Sequence, residues 1–126
     1  MKSSIFYKAS RTLLLGMLIF LPGLASSQPV SPLLRAEPAV DAVLTRAPRT
    51  LRLFYEALPD VSQSSLRLEG PNGDLALRGL HTMAADDLMI EIMDPVTPGT
   101  YTVHWSTVLV GDQTLYEGSF QFTYSE

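Results

Sequence analysis

The chain has 126 residues, 13 Asp and Glu against 9 Lys and Arg, and no cysteine. That length holds one domain with one hydrophobic core. The missing cysteine excludes disulfides, thiol nucleophiles and Cys-based zinc or redox motifs, so side-chain packing and strand pairing must carry the stability.

Residues 1–27 read as a cleavable signal peptide. Lys2, Lys8 and Arg11 form a basic start, Leu13 to Leu21 an apolar run, and Pro22-Gly23 a break. Ala25, Ser26 and Ser27 then supply small residues, with cleavage expected after Ala25 or after Ser27. The apolar run falls short of the roughly 20 residues needed to span hydrocarbon, so no stable membrane anchor is expected after cleavage. The reading is of a protein exported to the periplasm or a similar oxidising compartment, with residues 28–126 as its single domain. Cleavage leaves six arginines against thirteen carboxylates, a net charge of −7 (6 minus 13). Such a surface repels phosphate backbones and argues against nucleic acid as a partner.

Beyond the leader, short alternating runs punctuated by Pro, Gly, Asn and Asp predict an all-β, Greek-key β-sandwich of about seven strands. Asp41 to Leu44 is the one place for a helical turn. Thr50 to Tyr55 puts Leu51, Leu53 and Tyr55 on one face and Arg52 and Phe54 on the other. Ser65 to Glu69 and Leu75 to Arg78 flank a loop with Asn72-Gly73, a hairpin signal because both residues tolerate positive φ. His81 falls in a predicted loop, and Asp86-Asp87 reads as a solvated turn. Leu88 to Met93 sets Leu88, Ile90 and Ile92 against Met89, Glu91 and Met93. Tyr101 to Leu109 turns Tyr101, Val103, Trp105 and Thr107 inward, and Tyr116 to Tyr124 places Tyr116, Gly118, Phe120, Phe122 and Tyr124 on one face.

The inventory for catalysis is thin. There is no Gly-rich phosphate loop, G-x-S-x-G elbow or HExxH; of the two histidines, His81 is in a predicted loop and His104 is on the outward face of its strand beside Trp105, with no nucleophile in sequence reach. No enzyme is expected. His81, Met83, Met89 and Met93 are soft donors of the kind that suits Cu(I). Met89 and Met93, however, are four residues apart on one strand, about 13 Å, too far to meet one ion without a bend. Methionine as adaptable packing is the favoured account of them.

The ordered set Leu33 to Leu44 (LLRAEPAVDAVL), Ala47-Pro48, Leu51 to Leu58 (LRLFYEAL), Pro98 to Trp105 (PGTYTVHW) and Gly118 to Phe122 (GSFQF) resembles the CopC family of periplasmic copper-resistance proteins. The resemblance covers essentially the whole mature chain. It implies a cupredoxin-like or immunoglobulin-like Greek-key sandwich, periplasmic export and a role in copper homeostasis. Copper would be the possible cofactor, and a membrane copper transporter or another periplasmic protein the possible partner.

In that family Cu(II) is held by an N-terminal histidine, with a glutamate of an F-x-E motif and an Asp-x-His pair also contributing. The glutamate corresponds to Glu56. The N-terminal histidine would fall near Val30, in a stretch, Gln28 to Pro32, without histidine. The Asp-x-His pair falls on Gly111-Asp112-Gln113, with Gln113 in place of the histidine and the acid displaced to Asp112. The family's Met-rich Cu(I) loop would fall on Leu68 to Ala76, which has no methionine. Without imidazoles, Glu56 and Asp112 are expected to form only a weak remnant of the Cu(II) site. No specific metal ranks first, weak Cu(II) at Glu56 and Asp112 second, and Cu(I) at His81 with the methionines third. The alternative from another class is a metal-free interaction module of the same fold, docking onto a membrane or secreted partner.

Overall fold

The computed structural model describes residues 30–126, so the expected signal peptide lies outside the described residues. Among the described residues nine strands form: β1 (Leu33–Glu37), β2 (Val43–Leu44), β3 (Thr50–Tyr55), β4 (Ser65–Gly70), β5 (Gly73–Leu75), β6 (Leu77–His81), β7 (Asp87–Ile92), β8 (Gly99–Val108) and β9 (Leu115–Tyr124). They make two sheets, a four-stranded one in the order β1-β3-β7-β6 and a five-stranded one in the order β2-β9-β8-β4-β5. Among the described residues the only helical piece is a 3₁₀ turn at Val61–Gln63, capped by the Asp60 carboxylate on the Ser62 N–H.

The count exceeds the expected seven for two local reasons. Val43–Leu44 is a two-residue strand paired parallel to β9, not a helical turn. The run expected at Leu75 to Arg78 is divided, because the chain leaves one sheet after Leu75 and joins the other at Leu77. Ala76 is the crossing point. Its N–H donates to the Asp94 carboxylate at 2.8 Å, and its carbonyl accepts from the Met93 N–H at 2.8 Å. Both polar groups therefore stay paired through the change of sheet. The hairpin before it closes on Pro71-Asn72, since Gly70 pairs with Gly73, one residue earlier than the Asn-Gly signal implies.

The period-two pattern sets the core. Leu51, Leu53 and Tyr55 of β3, with Leu88, Ile90 and Ile92 of β7, face Leu68 of β4, Tyr101, Val103 and Trp105 of β8, and Phe120 and Phe122 of β9, all of them buried. Tyr55 meets Trp105 edge to face across the sheets, with ring centroids 5.5 Å apart. Tyr101 stacks on its cross-strand partner Phe122 at 5.3 Å. Its hydroxyl donates to the Thr97 carbonyl at 2.6 Å and accepts from the Thr97 N–H at 2.9 Å, which pins the turn entering β8.

Gly118 has a steric task. A Cβ there would lie 2.7 Å from Trp105 Cζ2, so the indole occupies space that only glycine leaves free. Gly118→Ala is expected to displace Trp105 and cost about 1–3 kcal/mol, the usual penalty for overpacking. Urea denaturation followed by Trp105 fluorescence, the chain's single tryptophan, checks both the stability loss and the altered indole environment.

Candidate metal centres

Two groups of polar or soft side chains were singled out from the sequence, and they occupy different places. Glu56 follows directly on β3, exposed, with its N–H held by the Pro32 carbonyl at 3.0 Å. The segment after it runs along the end of β8: Val110 N–H bonds the Leu58 carbonyl, Asp60 N–H bonds the Val108 carbonyl, and Pro59 bridges Leu109. That pairing brings Glu56 to the β8–β9 loop, which carries Asp112.

Asp112 is committed within its own loop. Its Oδ1 accepts the Thr114 N–H at 3.0 Å, and its Oδ2 accepts the Tyr116 hydroxyl at 2.9 Å. The Thr114 N–H, followed by the Tyr116 hydroxyl, holds its carboxyl below the usual aspartate range. Tyr116 is shifted the opposite way. Its phenol is pushed up first by the hydrogen bond to Asp112, then by burial, and lastly, by a smaller amount, by the charge of Glu56. Glu56, Asp112 and Tyr116 thus share one neighbourhood, and every donor in it is oxygen. Gln113, at the expected histidine position, is exposed.

The soft group lies on the outer face of the four-stranded sheet. His81 is the last residue of β6, a correction to its predicted loop, and it pairs with Met89 of β7. A register shift between Arg78 and His81, where Gly79 has φ +79°, turns the end of β6 so that this pairing is possible. His81 Nδ1 contacts the Gly79 carbonyl, and Nε2 lies 3.1 Å from Met83 Sδ. His81 and Met89 line the same shallow cavity of about 350 Å³ with Arg49, Thr50, Ile90 and Glu91. Met93 is not part of this group; it lies past β7 and lines a different cavity with Ala47, Pro48 and Arg49.

Asp87 overturns the expectation of a solvated turn at Asp86-Asp87. Its side chain is fully buried. Oδ2 accepts from Arg52 Nε at 2.7 Å and Oδ1 from the Met83 N–H at 2.8 Å, so one carboxylate ties β3, β7 and the loop that carries Met83. The sequence signal that could have found it is its position in step with Met89 and Glu91, one strand away from Arg52. Among the described residues no three His, Asp or Glu side chains converge as a metal-binding group.

The chain matches the CopC domain model over residues 33–125 and belongs to that family. The sandwich is similar to CopC from Methylosinus trichosporium OB3b, with a TM-score of 0.67 at 20% identity, covering 76% of this chain and 94% of that one. It is also similar to PcoC, a methionine-rich copper-resistance protein from Escherichia coli, with a TM-score of 0.68 at 23% identity, covering 76% of this chain and 100% of that one. No curated protein sequence matches the chain. The all-β sandwich expected from the alternating runs is therefore the fold, and the family resemblance read from the ordered motifs holds.

Two measurements check the local electrostatics. Tyr116→Phe is expected to raise the Asp112 pKa toward the ordinary aspartate value, and Asp112→Asn to lower the Tyr116 pKa, both read from NMR pH titrations. The native Asp112 carboxyl is the stronger acid, so it holds its loop at neutral and mildly acidic pH and releases it only as pH falls through the lowered value. Separately, Arg52→Ala should cost about 3 kcal/mol in thermal or urea unfolding by stranding the buried Asp87 charge. That is the low end for a buried pair, because the Arg52 side chain keeps 29% of its surface exposed.

Proposed function

We propose that this is a non-enzymatic copper-homeostasis protein of the periplasm that keeps the CopC scaffold while its Cu(II) site is degenerate. The observation that carries this reading is the environment of Asp112, whose two oxygens are taken by Thr114 and Tyr116 while the neighbouring Glu56 adds only another oxygen. Cu(II) favours nitrogen donors in tetragonal arrangement. A pair of carboxylates, one already engaged, does not fit that demand. Family membership and the leader-like first 27 residues support export and the link to copper.

An interaction role through the same fold is favoured by a separate feature. Leu58, Val110 and Leu115, at the end of the sandwich that carries Asp112, are 43%, 59% and 54% exposed. A partner such as a membrane copper transporter or another periplasmic protein would find an apolar contact there.

Titration of the exported chain with Cu(II) tests the degenerate site. Binding is expected to be weak and unchanged in Glu56→Gln and Asp112→Asn, whereas a 1:1 complex tighter than nanomolar, lost in either variant, would refute the reading. Copper sensitivity on deletion of the gene supports the homeostasis role. Unchanged copper tolerance together with a specific captured partner supports the interaction module instead.

A further inference from the structure

We infer that His81, Met83 and Met89 form a binding site for a soft monovalent cation, Cu(I) in the cell, on the outer face of the β1-β3-β7-β6 sheet. The site stands on its own geometry and rests on the proposed copper role only for the choice of copper as the physiological ion.

The argument begins with the tautomer of His81. The Gly79 carbonyl can only accept a hydrogen bond, so the Nδ1 facing it carries the proton. In the neutral imidazole this leaves the lone pair on Nε2, directed at Met83 Sδ 3.1 Å away. A thioether has no proton to offer. Two lone pairs facing each other repel, and a cation between them turns that repulsion into two bonds. Metal–nitrogen and metal–sulfur bonds of about 2.0 and 2.3 Å at a tetrahedral angle place the donors about 3.5 Å apart, so the pair needs to open by only about 0.4 Å.

Met89 supplies the third donor. It is the cross-strand partner of His81, and paired residues project from the same face with Cβ atoms about 4.5–5.5 Å apart. One imidazole and two thioethers are a soft set that suits Cu(I) and offers little to Mg²⁺ or Ca²⁺. The nearest carboxylate lining the cavity, Glu91, is paired with Arg78 Nε at 3.2 Å. Met93 is excluded because it lies past the end of β7 and lines a different cavity.

Preorganisation comes from beneath. Met83 sits on a short loop whose next residue, Ala84, holds φ +60°. The buried Asp87 carboxylate grips that loop through the Met83 N–H and is itself fixed by Arg52. Asp87 is thus a positioning residue, setting where Met83 Sδ stands relative to the imidazole.

The test uses the exported chain with Ag(I) as a redox-silent probe and with Cu(I) under anaerobic competition against a chromogenic chelator. One equivalent should bind, shifting the methyl resonances of Met83 and Met89 and the ring resonances of His81 while that of Met93 stays in place. His81→Ala and the shape-conserving Met83→Leu should each weaken binding about tenfold or more, and Met93→Leu should leave it unchanged. Absence of stoichiometric Ag(I) and Cu(I) binding, or full binding by the His81→Ala/Met83→Leu double variant, would overturn the site. Ag(I) binding here in a chain whose deletion leaves copper tolerance unchanged would uphold the site and remove the copper role.

Discussion

Trp105 is the contact on which the sandwich closes. The chain has no cysteine, so the two sheets are held by interlocking side chains alone. The indole lies against the backbone of Gly118 on the neighbouring strand and receives the edge of Tyr55 from the opposite sheet. Each of these needs the others: glycine leaves the space, the indole fills it, and Tyr55 covers the indole. The stacked pair Tyr101 and Phe122 repeats the arrangement further along the same two strands. With the core fixed this way, the outer faces are free to differ, and both candidate centres lie outside it.

The two candidate centres differ in donor chemistry and in what positions them. At the end of the sandwich, the Leu58–Asp60 segment pairs with the end of β8, and the charge of Glu56 is felt at Tyr116, which holds Asp112. The side chains there offer oxygen donors, and both Asp112 oxygens are already engaged by Thr114 and Tyr116. On the outer face of the smaller sheet the donors are soft. Imidazole and thioether meet at a position created by one register shift and one buried carboxylate. Arg52 serves both faces of this description, because the guanidinium that fixes Asp87 also lies 4.6 Å from the Phe54 ring centroid, with Arg35 at 3.6 Å from the same ring.

Much of the fold was legible because period-two patterning is local. Thr50 to Tyr55 and the long strands β8 and β9 could be placed within a residue or two, with their inward faces assigned correctly. What escaped depended on non-local pairing. Nothing in the run Leu75 to Arg78 announces that Ala76 changes sheets; the Asp94 carboxylate that stabilises the crossing comes from 18 residues further on. Asp87 looked like half of a solvated acidic pair until Arg52 was placed on the adjacent strand. His81 and Met83 were visible as soft residues, but their meeting depends on the bulge at Gly79 and on the hold of Asp87 on the loop. Glu56 and Asp112 were singled out by position in the motif order, while the engagement of Asp112 by Tyr116 was not legible.

The place of β9 has a consequence for how such a chain reaches its shape. This strand lies between β8 on one side and β2 on the other, and Thr123 N–H and Ser125 N–H bond the carbonyls of Ala42 and Leu44. An early segment of the domain therefore has no neighbour until a late one arrives. A polypeptide threaded through a pore amino end first would present β2 long before its mate, and its larger sheet would stay incomplete until β9 had passed. In such a passage the larger sheet could be completed only on the far side.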